Sequence, residues 1–362
     1  MKNNHTSLPI IIFIISTIVG VGIVTLPRQT AAVVGQSNMW MSVFLGAGIA
    51  FINAIFLFML IKRFPMKTVF DIGTELTGKW IGKVINLIFV AYMIAISSYI
   101  IRTMAEIVNY YLLDNTPKFV VLLVLVVSCM YLVSSGLSNI ILFFQLYFPI
   151  ILFMFFVLTL LSIKNIEPTH LRPIFYFDGI EILKGAHTTF FSFVGYELIM
   201  VLSGKFTFTK WKPMLTIFSI SIGSVCVIYV LFFILNIGVL SIEELKVITF
   251  PTIEMAKAIE FQGFFFERFE LLFLFGWIIT IFTTLAAYYY SAVLGMRKTF
   301  QVKNTLPMNM IIGFIILMLS LLPSGITELF SYGKYVNYLS YTSLIALPLL
   351  LLALSFRKGT AS

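Results

Sequence analysis

Long apolar runs, separated by short polar segments, organise this chain. Ten runs approach or exceed the length of a membrane span: residues 8–35, 39–61, 81–113, 119–133, 139–163, 187–204, 213–240, 264–295, 307–322 and 336–356. A hydrocarbon core about 30 Å thick needs about 20 helical residues. The runs are continuous rather than alternating, which predicts helices and not the strands of a barrel. The expected fold is an all-α polytopic membrane protein with ten transmembrane helices, forming a single integral membrane domain over residues 1–362. The first run reads as a span rather than a cleaved signal, because no small-residue cleavage site follows it.

Two runs contain weak points. The stretch "TIVGVGIVTLPRQ", residues 17–29, places Gly20 and Gly22 mid-span and Pro27 just beyond. In a helix interior Gly costs about 1 kcal/mol against Ala, and Pro about 3. The sixth run carries "FFSFVGYELIM", residues 190–200, with Gly195 followed by Tyr196 and Glu197. Irregular backbone at membrane depth survives only inside protein or beside a polar cavity. Dividing ten spans into five plus five gives repeats of about 8–163 and 187–356. Five is odd, so the second repeat is inverted, and runs one and six take equivalent places. Paired broken helices in inverted halves point to a midplane binding site. Close helix packing is the competing reading of each glycine.

Two further stripes admit either a pocket wall or inter-helix contact. They are Thr280, Thr284 and Tyr288 in the eighth run, and Tyr92, Ile96 and Tyr99 in the third. Charges inside spans need partners. Arg102 and Glu106 stand four apart and are expected to form a structural ion pair. Glu270 is expected at the outer interface. Glu197 is open to three roles: capping the second half-helix, meeting a ligand ammonium, or carrying a proton.

Composition narrows the class. Of 362 residues, 60% are apolar and 11% charged, against about 25% charged in soluble domains. Cys129 and Cys226 lie within apolar runs, and His5, His170 and His187 are isolated, so neither disulfides nor a metal or other cofactor is expected. No nucleophile–base spacing or phosphate loop suggests an enzyme. The net charge of +9 follows the distribution of Lys and Arg about a lipid bilayer and does not call for nucleic acid. With the N-terminus inside, the inner segments collect fourteen basic residues and two acids, Asp71 and Glu75, while the outer segments hold nine basic residues and ten acids. Both termini are therefore expected in the cytoplasm. The inner loop "MKTVFDIGTELTGKW" is expected to lie along the membrane surface. The outer loop at 241–263 is expected to carry a surface helix over 252–260, started by Pro251 and ended by Gly263.

The stretches "VGVGIVTLPRQ", "GKWIG", "RTMAEIVNYYLLDNTP", "LRP" at Leu171–Pro173 and "GFFFERFELLFLFGWI" resemble the B-subunit family of spore germinant receptors. That family belongs to the amino acid–polyamine–organocation transporter superfamily. The resemblance spans essentially the whole chain. It implies the LeuT-like five-plus-five inverted repeat with helices 1 and 6 broken mid-membrane. It implies a nutrient-sensing subunit that binds a small-molecule germinant, commonly an amino acid, in the inner spore membrane. Its implied partners are an A subunit and a lipoprotein C subunit. Carried onto this chain, the superfamily pocket falls on Gly20, Val21 and Gly22, on Val194, Gly195 and Tyr196, and on Tyr92, Ile96, Thr284 and Tyr288, with Glu197 adjoining. Some superfamily transporters carry a Lys in helix 5. Here none precedes Lys164, which favours sensing over proton-coupled pumping. The alternative is an autonomous proton- or cation-coupled amino acid transporter.

The charge asymmetry makes a direct prediction. Cysteines placed at 67 and 210 react with impermeant reagent from the cytoplasmic side only, and those at 243 and 334 from the opposite side only. Labelling of 210 and 243 from one side contradicts ten spans.

Overall fold

A computed structural model describes residues 7–173, 179–259 and 269–357, and every described regular element is helical. The first span is two helices, α1 (Ser7–Ile18) and α2 (Gly22–Val34), meeting at 51°. There follow α3 (Met41–Arg63), a short α4 (Val69–Thr77), and α5 (Lys79–Tyr111). Next come α6 (Lys118–Ser134) and α7 (Leu137–Ser162). The sixth span is again bent, by 44°, between α8 (Gly179–Ser192) and a short segment, Tyr196–Leu202, whose α-helical part is α9 (Ile199–Leu202). The rest is α10 (Trp211–Val247), α11 (Pro251–Lys257), α12 (Phe269–Phe300), α13 (Thr305–Leu321), α14 (Ile326–Tyr341) and α15 (Leu347–Arg357). A π-helical turn, Thr342–Ala346, joins the last two. Among the described residues, six unbroken stretches are long and apolar enough to cross a membrane, as is each bent pair, while α6 and α13 are apolar helices of 17 residues.

The long helices α5 and α12 are the most enclosed of the unbroken spans, and α7 the most exposed. α5 and α12 pack against each other, and α1 packs against α7, α10 and α12. The two broken spans thus sit beside the central pair, each half held by different neighbours. α8 rests on α3 and α2.

Several boundaries differ from the hydropathy reading. The sixth span begins at Gly179 rather than 187, because α8 is amphipathic there. Ile182, Gly185 and Ala186 are buried, while Glu181 and Lys184 pair at 2.7 Å on the outside. The tenth begins at Ile326 rather than 336, so Lys334 lies within a helix and not in a loop. The expected surface helix over 252–260 is corrected: α11 ends at Lys257, and its Thr252, Ile253, Met255 and Ala256 are buried against α2, α10 and α12. Gly263 therefore does not end it, and lies outside the described residues. Glu270 is buried on the first turn of α12. His5 is also outside the described residues.

The loop between α3 and α5 forms α4, docked on α5 with Val69, Phe70, Ile72 and Leu76 buried. Thr68 and Asp71 make a reciprocal capping box at its start, a device that satisfies two free N–H groups. Asp71 also accepts from Lys298 Nζ of α12 at 2.8 Å. Burial pushes its carboxyl up, and the bonds from Lys298 and Thr68 outweigh that, holding it below the ordinary carboxylate value. A carboxyl lowered in this way stabilises the fold above its unfolded value and loses that contribution as pH falls through the folded one.

Arg102 and Glu106 lie together, buried in α5. Arg102 donates from Nε to Glu106 Oε1 at 2.9 Å, its Nη2 is 2.7 Å from the same oxygen, and its Nη1 reaches the Ser320 carbonyl of α13 at 3.0 Å. Lys118 Nζ of α6 adds a third charge, 2.8 Å from Glu106 Oε2. This network ties α5 to α6 and α13. Removing one member of a buried pair costs about 3–5 kcal/mol, whereas replacing both by apolar groups is often near neutral. Glu106→Gln is expected to lower the melting temperature in detergent substantially, and Arg102→Leu/Glu106→Leu to recover much of the loss. An unchanged melting curve for Glu106→Gln contradicts a structural role.

Candidate functional site

The break in the first span follows from its glycines and its proline. Val19 N–H still bonds the Ile15 carbonyl, and regular bonding resumes with Thr25 N–H to the Val21 carbonyl. Between them, the N–H groups of Gly20, Val21, Gly22 and Ile23 have no backbone acceptor among the described residues. These are the orphan donors that open any α-helix. Three carbonyls at the break, by contrast, are taken by buried side chains. Ser16 accepts from Thr283 at 2.9 Å, Ile18 from Tyr229 at 3.1 Å and Gly20 from Trp277 Nε1 at 3.2 Å. Pro27 has no N–H to offer the Ile23 carbonyl four residues back. Thr252 Oγ1 of α11 supplies that bond instead, at 2.7 Å. The proline thus creates the acceptor that helps seat α11.

The second break lies directly against the first. Gly195 has φ +137, a region closed to side chains. A Cβ there would stand 2.9 Å from the Ile18 nitrogen and 3.0 Å from the Thr17 carbonyl carbon. Glu197 then folds back. Its Oε2 accepts from Gly195 N–H at 2.6 Å, and its Oε1 accepts from the hydroxyls of Tyr288 at 2.6 Å and Tyr92 at 3.2 Å. Tyr229 of α10 bridges both spans, since its hydroxyl also lies 3.0 Å from the Ser192 carbonyl at the end of α8.

A small cavity of about 50 Å³ opens between the breaks. Gly20, Val21, Gly22, Ile96, Val194, Thr284 and Tyr288 line it, while Tyr92, Gly195, Tyr196 and Glu197 do not. The lining also includes Thr17, Ile18, Thr25, Gln29, Tyr99, Ile100, Phe191 and Ser192. Thr25 and Gln29 follow Val21 at steps of four, so helical periodicity carries them to the same face. Tyr99 belongs to the stripe begun by Tyr92 and Ile96. Among the described residues, no charged side chain lines the cavity. Its polarity comes from hydroxyls, one amide and the two helix ends. Arg28 lies outside it, 5.2 Å from the centre of the Phe330 ring.

The glycines therefore serve both packing and the cavity, and single substitutions separate the two. A Cβ on Gly20 would meet Thr284 Oγ1 at 2.7 Å, a movable side chain. Gly195→Ala is expected to abolish accumulation in membranes. Gly20→Ala is expected to reduce it, with Gly20→Ala/Thr284→Ala restoring it. Failure of the double variant to recover means that the methyl clashes elsewhere.

Comparison with known proteins agrees with this architecture. The profile of a family described as spore germination protein matches residues 6–328. Spore germination protein YndE of Bacillus subtilis is 32% identical over 349 residues, covering 95% of this chain and 94% of that protein. Spore germination protein A2 of the same organism is 32% identical over 340 residues, covering 93% and 91%. Among solved structures, the chain resembles Mhp1, a nucleobase-cation-symport-1 family transporter, in a closed conformation with bromovinylhydantoin bound. The TM-score is 0.68 at 12% identity, covering 96% of this chain and 77% of that one. It also resembles MhsT in complex with L-phenylalanine, with TM-score 0.66 at 13% identity and coverage of 97% and 88%. These structures share the fold, a LeuT-like arrangement of membrane helices. By sequence, the chain belongs to the spore germination protein family.

Proposed function

We propose that this chain is the nutrient-sensing membrane subunit of a spore germinant receptor, and that it binds a small amino acid between its two broken helices. The observation that carries this reading is the pair of helix ends at the cavity. The unpaired N–H groups of Gly20, Val21, Gly22 and Ile23 open α2, and such an end favours a carboxylate. The carbonyl end of α8 at Phe191 and Ser192 lies on the same cavity, and such an end favours a cation. A zwitterion satisfies both without any charged side chain. The volume of about 50 Å³ is far below the several hundred Å³ of drug-sized sites, so the ligand is among the smallest amino acids.

In this reading the ten spans form two inverted sets of five, with both termini cytoplasmic, in the inner spore membrane. Ligand binding shifts a conformational equilibrium, and the A subunit and lipoprotein C subunit receive that shift. MhsT was solved with L-phenylalanine, which makes an amino acid a reasonable occupant of the same fold. A thermal-shift screen of the purified chain against amino acids, sugars and nucleosides tests the ligand class. Stabilisation is expected with small amino acids and not with the matching amines or carboxylic acids alone. Stabilisation by sugars or nucleosides only contradicts the reading. Accumulation of substrate in proteoliposomes of this chain alone would favour an autonomous transporter instead.

A further inference from the structure

The hydrogen-bonding character of one cavity wall is set from behind it. Tyr288 lines the cavity, and its hydroxyl donates to Glu197 Oε1 at 2.6 Å. Glu197 does not line the cavity. A phenol has a single proton to give, whereas its oxygen can still accept. With that proton held by Glu197, Tyr288 can only accept from anything else. Tyr92 makes the same commitment, to the same carboxylate oxygen, at 3.2 Å. The other oxygen takes Gly195 N–H at 2.6 Å. Gly195 N–H can only donate, and with both hydroxyls donating the carboxylate takes three hydrogen bonds. Thr284, also on the α12 wall, directs its hydroxyl to the carbonyls of Ser16 and Thr280, at 3.3 and 3.4 Å. The α12 wall therefore offers acceptors, while the start of α2 offers donors.

We infer that Glu197 is a positioning residue that sets ligand specificity. By holding the Tyr288 proton, it keeps the wall an acceptor and selects an α-amino acid over the α-hydroxy acid of equal size. An ammonium is donor only and tolerates no donor opposite it. A hydroxyl is donor and acceptor, and tolerates either orientation. In Glu197→Gln, the new amide N–H group needs an acceptor, and a tyrosine oxygen is at hand. The Tyr288 proton is then released toward the cavity, where it opposes an ammonium and leaves a hydroxyl nearly unaffected. This inference rests on the amino-acid reading of the pocket.

The test measures binding of two isosteric pairs, glycine with glycolate and alanine with lactate, to the purified full-length chain. The wild type is expected to prefer the amino acid. Glu197→Gln is expected to lower that preference at least about tenfold, as loss of a hydrogen bond to a charged group implies. Affinity for the hydroxy acid should stay within about threefold. A role confined to holding the helix-6 break would weaken both acids alike and leave the ratio unchanged. Tyr288→Phe removes the acceptor itself and should also lower the preference. It decides the matter if Glu197→Gln fails to fold. A ratio unchanged within twofold in a folded variant overturns this inference and leaves the amino-acid reading standing. A wild type that binds neither class overturns both.

Discussion

A main-chain N–H or C=O group inside a bilayer must find a partner within the protein, and the break in the first span meets that demand unevenly. Where the first span breaks, three of its carbonyls are met by Thr283, Tyr229 and Trp277. The corresponding N–H groups are left without backbone acceptors. A buried unsatisfied polar group costs about 1–3 kcal/mol, so a cluster of such donors is costly unless water or a ligand reaches it. The cavity lies where one of them can.

The surrounding fold can be understood as support for that asymmetry. Gly195 lets the sixth span approach within contact of Thr17 and Ile18, as no residue with a side chain could. Tyr229 bridges the two breaks from α10. Glu197 gathers Gly195, Tyr92 and Tyr288 into one cluster, joining the sixth span to α5 and α12. Pro27 frees a carbonyl that Thr252 of α11 then fills. Tyr229 and Thr252 each supply from another element a hydrogen bond that the broken helix has lost. The breaks consequently hold the spans in register and do not simply loosen them. Movement of Tyr229 would be felt by both broken spans.

Much of this was legible in the sequence because bilayer thickness and helix propensity act locally. Apolar run length located the spans, and Gly20, Gly22 and Gly195 marked the bends. The misplacements have a common cause. Residues 179–186 and 326–335 are polar enough to end a hydropathy run, yet they continue helices whose buried faces are narrow. α11 looked like a surface helix for a related reason: its composition is mixed, and only its docking against α2, α10 and α12 buries Thr252 and Met255. Glu197 could be identified as unusual but not resolved among its roles. Its three donors come from two distant helices and from a glycine whose backbone conformation no local pattern specifies. Thr25 and Gln29 were within reach of simple periodicity from Val21.

The most direct measurement follows the amide resonances of Gly20 and Gly22 in glycine-labelled protein as a bound amino acid is titrated in. The account predicts that both shift with an amino acid, and that neither shifts with the corresponding amine lacking the carboxylate. An amino acid that binds while both glycine amides stay unmoved would contradict it.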